Sequence, residues 1–202
     1  MADMSGEKIP KQYQFKNSEY IPYIKKHEGT IEYQTKKGSY DPNTQEFITY
    51  LDSVGVPTIG YGTTGKSSSK FNVKEGQRIP LYVADMALDQ EIDEKLKAVK
   101  KYIPDFNKLP PKLRIPMLSS FYRGGLSGSP ETIKKINKGD FKGAAKEFLN
   151  NKEYKKSKKE GTGVAKRMEE LSNALLTYSK EAKRKTGGMV MRNYYDYEPR
   201  SI

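Results

Sequence analysis

Glu28, Asp52 and Thr58 are the residues whose types and spacing could do chemistry. Hydrolysis of a glycosidic bond without a metal needs a proton donor for the leaving oxygen and a second carboxylate that activates water or attacks the sugar. Glu28 ends a predicted helix and Asp52 ends a predicted strand. Thr58 would lie on the neighbouring strand, where its hydroxyl could help to hold the water that Asp52 polarises. The chain has 25 acidic residues, so an acidic pair alone is not specific.

A proton donor that works near neutral pH needs a carboxyl pKa above the ordinary value of about 4.3. Desolvation or a nearby acid would raise the pKa of Glu28. The pKa of Glu28 would be lowered by Lys25, Lys26 and His27 if these side chains pointed towards it. Adjacent residues of a helix, however, lie on different faces. We therefore expect Glu28 to face a cleft and the two lysines to face water. His27 is expected to be a packing or hydrogen-bonding residue.

A short helix and a small antiparallel sheet must bring these residues together. Ser18 is a candidate N-cap and Gly29 a stop, so we predict a helix that ends near Glu28. β-branched and aromatic runs, separated by turn residues such as those at 53–55, predict a small sheet. The predicted strands are 31–35, 47–51 and 56–61.

Helices are predicted for the rest of the domain. Apolar residues recur at spacings of three and four from Ala84 to Ile103, which indicates a long amphipathic helix over 80–103. Further predicted helices are 113–122, 129–139, 140–149 and 164–178. We expect an α+β fold in which a small sheet lobe, a connecting helix and a larger helical lobe form one domain. The predicted divisions are an arm at 1–17, the domain at 18–180 (lobes 18–79 and 104–180) and a basic, Tyr-rich tail at 181–202.

The composition excludes several classes of site. With no cysteine and one histidine, the chain is not expected to use disulfides, thiolate chemistry, structural zinc or a histidine-based triad. We expect neither a cofactor nor a metal. The formal charge of +12 would attract polyanions such as wall polymers, anionic lipid or nucleic acid. No apolar run and no signal-peptide pattern are present, so membrane insertion and secretion by a leader are not expected.

The chain contains KKHEG at residues 25–29 and DSVGVPTIGYG at residues 52–62. These segments resemble the active-site region of phage-type lysozymes, glycoside hydrolases found in many tailed phages. The order, the Glu-Gly pair and the spacing between the aspartate and the threonine all match. Weaker similarity continues in SFYRGG (120–125), NKGD (137–140) and GVAKRMEE (163–170). The resemblance covers residues 18–178 and implies a lysozyme-like fold with a cleft between the two lobes.

The resemblance also implies roles. Glu28 would be the general acid, and Asp52 and Thr58 would position the attacking water. Inversion at the anomeric carbon is implied, with carboxylates separated by roughly 6.5 to 9.5 Å to admit that water. The substrate would be bacterial peptidoglycan, cut between N-acetylmuramic acid and N-acetylglucosamine. The residues expected to bind sugar are Gly60, Tyr61, Gly62, Tyr122 and Arg123.

Three departures from the family pattern stand out. The connection between Glu28 and Asp52 has 23 residues, which is longer than the family's, so the hairpin at 30–50 could reshape the cleft or bind a partner. Thr63 replaces a histidine, which removes an ion pair. The usual asparagine of the central segment aligns with Tyr122 or Arg123, which alters that wall of the cleft.

Residues 60–67, GYGTTGKS, also match the phosphate-loop pattern G-x-x-x-x-G-K-[ST]. A phosphate loop needs a helix that begins at the Lys-Ser pair, followed by a parallel strand. Residues 67–76 are polar, aperiodic and stopped by glycine, so we prefer a turn or sugar-contacting loop to a nucleotide site.

The rival interpretation is an inactive wall-binding or virion structural protein on a lysozyme fold. The presence of Glu28, Asp52 and Thr58 together favours an enzyme. We expect a protein made in the host cytoplasm that acts on the wall, either as an endolysin or in the virion. Phage structural proteins could bind through residues 30–50 or the 181–202 tail. We do not expect nucleic acid as a partner, although the basic tail leaves that alternative open.

Overall fold

The computed structural model describes residues 14–52, 54–64 and 73–186. The α-helices are α1 (Ile21–Glu28), α2 (Ile31–Lys36), α3 (Leu81–Tyr102), α4 (Pro111–Tyr122), α5 (Pro130–Asn137), α6 (Phe141–Leu149), α7 (Lys152–Glu160) and α8 (Gly163–Thr186). A short 3-10 helix covers Phe106–Lys108. The β-strands are β1 (Tyr40–Asp41), β2 (Glu46–Ile48), β3 (Tyr50–Leu51), β4 (Pro57–Ile59), β5 (Thr63–Thr64) and β6 (Arg78–Pro80). The strands precede the long helix α3, and the later described elements are helical, which confirms the expected α+β class.

The strands form two small antiparallel sheets instead of one. Their orders are β1-β2-β6 and β3-β4-β5. The predicted strand 47–51 is divided between the two sheets at Thr49. The backbone N–H and the hydroxyl of Thr49 donate to the carbonyl oxygen of Gln77, at 2.9 and 3.0 Å. The predicted strand 56–61 is shorter in the structure, where β4 covers Pro57–Ile59.

Residues 31–35 lie in a helix, so the strand predicted there is wrong. The hydroxyl of Thr30 accepts a hydrogen bond from the backbone N–H of Tyr33 at 3.3 Å, which caps the first turn of α2. Gln34 is buried and donates its side-chain amide to the carbonyl oxygen of Gly60 at 3.4 Å. The cap and this distant contact override the strand propensity of the segment.

The domain begins earlier than predicted and its first helix begins later. α1 starts at Ile21, beyond the predicted cap, because Pro22 in its first turn suits the start of a helix. Asn17 is buried, and its backbone N–H and side-chain amide donate to Asp89 at 2.9 and 3.0 Å. The predicted arm therefore does not extend to residue 17. Its first part, residues 1–13, lies outside the described residues.

The long helix α3 confirms the prediction of a connecting helix over 80–103. Its apolar stripe is buried, because a helix that passes between two layers must place that stripe against both of them. One continuous hydrophobic cluster joins the sheets to the later helices. Its members include Ile24, Phe47, Ile59, Tyr61, Leu88, Ile92, Val99, Leu113, Met117, Phe148, Met168, Leu171 and Leu175.

The last two helices differ from the predictions. α8 continues to Thr186, so the predicted start of the tail at residue 181 is wrong. Lys, Glu, Ala and Arg are good helix formers even where no apolar period remains. Residues 187–202 of the predicted tail lie outside the described residues. None of the described helices combines the length and the apolar character needed to cross a membrane.

α7 was not predicted because its sequence, KEYKKSKKE, is almost entirely polar. The side chain of Asn151 caps this helix by accepting a hydrogen bond from the backbone N–H of Tyr154 at 2.7 Å. Gly161, with a φ of +67°, ends it in the left-handed conformation that glycine adopts most easily. Local capping therefore defines α7 where hydrophobic periodicity does not.

Candidate active site

Glu28 is the last residue of α1, and its side chain is 20 % exposed. Gly29 follows it with a φ of +134°, and a β-carbon on Gly29 would lie 2.6 Å from the amide nitrogen of Gln34. Only glycine fits here, so the Glu-Gly pair is a structural requirement of the turn into α2. Arg167 of α8 donates from Nη1 to Oε1 of Glu28 at 2.9 Å. The carboxylate is therefore held by a second element distant in sequence.

The pKa of Glu28 lies above its ordinary value. Burial is the largest cause, because desolvation disfavours the charged form, and the buried acid Glu91 adds to it. The positive charges of Arg167 and Arg123 act in the opposite direction. The side chain can therefore hold a proton at a higher pH than a solvent-exposed glutamate, which is the property expected of a general acid.

Replacement of Arg167 by methionine is expected to shift the pH dependence of hydrolysis. Arg167 lowers the pKa of Glu28, so its loss should raise that pKa further. A proton donor is active while protonated, and the high-pH limb of kcat/KM should therefore move to higher pH. The measurement is a pH profile on soluble glycan strands. Lys166→Met removes the same charge from an exposed neighbour and should leave that limb in place; an unmoved limb in Arg167→Met would contradict the assignment.

Asp52 lies at the tip of the β3–β4 hairpin, where it organises the turn. Its Oδ1 accepts hydrogen bonds from the backbone N–H groups of Val54 and Val56, at 2.9 and 2.8 Å. Its own backbone N–H donates to the carbonyl oxygen of Val56 at 3.0 Å. Gly55 has a φ of +78°, which permits the sharp reversal. The carboxylate is thus held in one orientation by the turn that follows it. Ser53 lies outside the described residues.

Thr58 lies on the strand next to that of Asp52, as predicted. It pairs directly with Tyr50 in the β3–β4 ladder, and side chains of directly opposed residues share one face of a sheet. Side chains alternate along a strand, so Asp52 belongs to the same face while Leu51 belongs to the other. The hydroxyl of Thr58 is buried and donates to the carbonyl oxygen of Val56 at 3.0 Å.

Tyr50 connects the two acids electrostatically. Its pKa is raised first by burial, then by the negative charge of Glu28 and that of Asp52. Both carboxylates therefore lie within electrostatic range of the Tyr50 hydroxyl, although 23 residues separate them in the chain. Tyr50 was not predicted as a site residue, although its position two residues before Asp52 predicts a shared face.

The loop of Gly60, Tyr61 and Gly62 is placed differently from the prediction. Gly60 is buried, and a β-carbon there would lie 3.1 Å from the β-carbon of Ala84, so this glycine allows β4 to approach α3. Tyr61 is 1 % exposed, with its ring edge-on to Phe47. Tyr61 is thus a core residue, which corrects its predicted place in a sugar-binding surface. Gly62 is half-buried.

Tyr122 and Arg123 lie at the end of α4, within electrostatic reach of Glu28. The hydroxyl of Tyr122 donates to Oε2 of the buried Glu91. Burial, followed by the charge of Glu91, raises the pKa of Tyr122 well above its ordinary value. Arg123 donates from Nη2 to Glu153 at 2.5 Å, and its side chain is 27 % exposed. Arg123 can therefore meet a ligand, whereas the Tyr122 hydroxyl already has a partner.

The C-terminal turn of α1 is held by α8. Oε2 of Glu170 pairs with Nε2 of His27 and accepts from the Tyr23 hydroxyl, both at 2.8 Å. Desolvation lowers the pKa of His27, and the side chain is 8 % exposed, in keeping with the packing role expected of it. Arg167 lies one turn before Glu170 on the same helix. α8 therefore positions Glu28 directly and through its neighbours.

The two lysines before Glu28 have different environments. Lys26 is 61 % exposed, as expected, but Lys25 is 27 % exposed and pairs with Asp85 at 2.6 Å. Lys25 also lies over the ring of Tyr61, with its Nζ 4.8 Å from the ring centroid. The expectation that Lys25 faces water is therefore wrong. This lysine links α1 to α3.

Two other classes of site find no support in the described part of the chain. β4 and β5 are antiparallel, whereas a phosphate loop needs a strand, a helix and a parallel strand. Residues 65–72, which complete the phosphate-loop pattern, lie outside the described residues. Within ranges 14–52, 54–64 and 73–186, no group of three or more acidic or histidine side chains could hold a metal ion.

Arg167, like Tyr50, is a residue of this site that was not predicted from the sequence. It lies between Val164 and Met168 on α8, beside the apolar stripe that faces the core. A charged residue next to such a stripe needs a partner when the helix docks, because an unpaired buried charge is costly. The position of Arg167 beside the buried stripe of α8 could therefore have identified it as the partner of a buried acid.

Comparison with known proteins gives one family. Residues 45–170 match the family model described as phage lysozyme, and that range includes Asp52, Thr58 and Arg167 but begins after Glu28. The chain has no match among curated proteins or among solved structures. The matched range exceeds half of the chain's 202 residues. The protein therefore belongs to the phage lysozyme family and is a glycoside hydrolase with a lysozyme-like α+β fold.

Proposed function

We propose that the protein is a muramidase that hydrolyses the bond between N-acetylmuramic acid and N-acetylglucosamine in bacterial peptidoglycan. Family membership supports peptidoglycan as the substrate. The observation that carries the assignment of the acids is that the Tyr50 hydroxyl lies within electrostatic range of both Glu28 and Asp52, on the strand residue that pairs with Thr58. Two carboxylates on either side of a bound glycan would supply the acid and the base that glycoside hydrolysis needs.

Glu28 is the proton donor in this proposal. Its raised pKa lets it hold a proton, and it delivers that proton to the glycosidic oxygen as the bond to the anomeric carbon breaks. The resulting carboxylate is then stabilised by Arg167, whose Nη1 already lies 2.9 Å from Oε1. Arg167 therefore has two opposing effects. It must not lower the pKa of Glu28 so far that the proton is lost before the reaction, and it must stabilise the negative charge that Glu28 carries afterwards.

Asp52 and Thr58 orient the attacking water. Oδ1 of Asp52 already accepts hydrogen bonds from two backbone N–H groups. Oδ2 is therefore the carboxylate oxygen that takes a proton from the water while the water oxygen attacks the anomeric carbon. The Thr58 hydroxyl donates to the Val56 carbonyl, which leaves its lone pairs to accept a hydrogen bond from the same water. Attack by a separate water on the face opposite the leaving group inverts the configuration.

The products of hydrolysis test this function. Purified peptidoglycan is digested with the wild-type protein, the new reducing ends are reduced with borohydride, and the fragments are identified by mass spectrometry. Reduced N-acetylmuramic acid at the new ends is the expected result. Proton NMR of the early products should show the α-anomer, since inversion of a β-linkage yields it. Reduced N-acetylglucosamine, or solubilisation without new reducing ends, would contradict the proposal.

The biological setting follows from the reaction. Membership of this family supports action on the bacterial wall. There the proposed cleavage would serve release of progeny or penetration of the wall at infection. The formal charge of +12 would draw the protein towards anionic wall polymers. An inactive wall-binding protein would bind peptidoglycan but generate no new ends, so the digestion also separates these two functions.

A further inference from the structure

The long connection between Glu28 and Asp52 places a helix beside the proposed active site. α2 begins at Ile31, directly after the turn that follows Glu28. Gln34 is 3 % exposed and donates its side-chain amide to the carbonyl oxygen of Gly60 at 3.4 Å, where β4 ends. The hydroxyl of Ser39 donates to the backbone carbonyl of Gln34 at 3.2 Å. α2 is therefore anchored to the strand that carries Thr58.

Tyr33 is next to this anchor but points outward. Its side chain is 53 % exposed. Its Cδ1 lies 3.4 Å from the point that a β-carbon on Gly29 would occupy, so the ring leans over the turn that follows Glu28. Gly29 directly follows Glu28, so the exposed ring of Tyr33 stands beside the proposed proton donor. Tyr33 also contributes to the raised pKa of Tyr50, after burial and the charges of Glu28 and Asp52.

Two exposed apolar side chains lie beside the acidic residues. Four large hydrophobic residues are exposed within the described ranges, namely Tyr33, Leu51, Val54 and Tyr102. Val54 follows Asp52 in the hairpin turn and Tyr33 lies over the turn after Glu28, whereas Leu51 belongs to the opposite face of its sheet and Tyr102 lies at the far end of α3. Tyr33 and Val54 thus leave apolar surface that a ligand at this site can cover.

The chemistry of Tyr33 suits a sugar. A pyranose ring presents a face of C–H groups, which packs on the face of an aromatic ring and removes both from water. Tyr33 also needs little ordering when a ligand binds, because its backbone is held by the Thr30 cap and by the neighbouring Gln34. Lys37 lies beside it, with its Nζ 5.8 Å from the ring centroid.

We propose that Tyr33 is a sugar-binding residue which the long connection adds to the cleft, and that its ring receives an N-acetylhexosamine of the glycan strand beside the cleaved bond. This inference rests on the proposed muramidase function. It assigns to α2 a role in holding substrate, with no part in the proton transfers themselves. Substitution of Tyr33 should therefore change KM and leave kcat as it is.

The first test measures initial rates on soluble, uncross-linked strands of alternating N-acetylglucosamine and N-acetylmuramic acid. Tyr33→Ala is expected to raise KM about five- to tenfold, the effect of losing one aromatic stacking contact. Tyr33→Phe keeps the ring and should keep the wild-type KM. Tyr102→Ala is the matched control, since this tyrosine is similarly exposed at 50 % but remote from the site. An unchanged KM for Tyr33→Ala would overturn the proposal, as would an equal rise in KM for the Tyr102→Ala control.

The second test reads binding without catalysis. The chain contains no tryptophan, so Tyr33→Trp in the Glu28→Gln background introduces a single reporter that keeps an aromatic face. Its emission should change saturably as the same strands are added, and that of Tyr102→Trp should not. Calorimetric binding without any change in the Tyr33→Trp emission would overturn the proposal. If the wild type binds these strands but does not cut them, the proposed muramidase function is wrong. The change in Tyr33→Trp emission would then still show whether residue 33 contacts the bound strand.

Discussion

Glu28→Gln is expected to lower kcat on peptidoglycan about a thousandfold, within the range of 10²- to 10⁴-fold that general acid catalysis contributes. Glutamine has the same shape but carries no proton that it can give to the glycosidic oxygen. Its side-chain oxygen can still accept the hydrogen bond from Arg167, so the end of α1 should keep its position. The measurement is the initial rate on soluble strands, with substrate binding followed by calorimetry on the same preparations.

Glu19→Gln is the matched control for this prediction. Glu19 also pairs with an arginine, Arg114 of α4, at 2.7 Å, but Glu19 precedes α1, whereas Glu28 is the last residue of that helix. The control should retain wild-type activity, and both variants should show cooperative thermal unfolding. A folded Glu28→Gln variant with a rate near that of the wild type would remove Glu28 from the mechanism.

Asp52→Asn is expected to lower kcat about a hundredfold or more, as expected for loss of a general base. Asparagine cannot take the proton of the attacking water, although its side-chain oxygen can still accept from the N–H groups of Val54 and Val56. The hairpin should therefore form, and KM should change little. The rate on soluble strands measures the effect, and circular dichroism establishes that the fold is retained.

Asp41→Asn controls for the loss of a hairpin aspartate. Oδ1 of Asp41 also accepts a backbone N–H, from Asn43 at 3.0 Å, and Asp41 pairs with Arg78 at 3.2 Å. This aspartate belongs to the other sheet and should be dispensable for catalysis. Equal loss of activity in the two variants would indicate that Asp52 acts by stabilising the sheets.

The elements that sequence predicts well are those with a repeating apolar pattern. α3 shows this most clearly, because residues at spacings of three and four form one buried stripe. α6 also has a repeating apolar pattern. It begins after Asp140, whose side chain accepts a hydrogen bond from the backbone N–H of Gly143 at 2.8 Å. In both helices the local signal and the tertiary environment agree, so the pattern alone is sufficient.

The elements that sequence predicts poorly depend on contacts that a pattern does not contain. α2 has the residue types of a strand, yet the Thr30 cap and the distant bond from Gln34 to Gly60 make it a helix. α7 has no apolar periodicity, so only the capping residues at its two ends indicate a helix. The end of α8 was predicted too early because helix propensity continues after the apolar stripe stops.

The candidate site shows the same division. Glu28, Asp52 and Thr58 were predicted because the segments that carry them resemble those of phage-type lysozymes in order and spacing, and their roles remain proposals. Tyr61 was misassigned because a tyrosine in a glycine-rich loop looks exposed in sequence, whereas Phe47 and Lys25 enclose it in the fold. Side-chain partners from distant elements decide such cases, and a single sequence does not contain them.

The release of new reducing ends from purified peptidoglycan tests the central claim most directly, with the wild-type protein compared with Glu28→Gln at equal concentration. The proposed function predicts steady release by the wild type and almost none by the folded variant. Absence of new reducing ends with a folded wild-type protein, or equal release by both proteins, would contradict the assignment of Glu28 as the general acid of a muramidase.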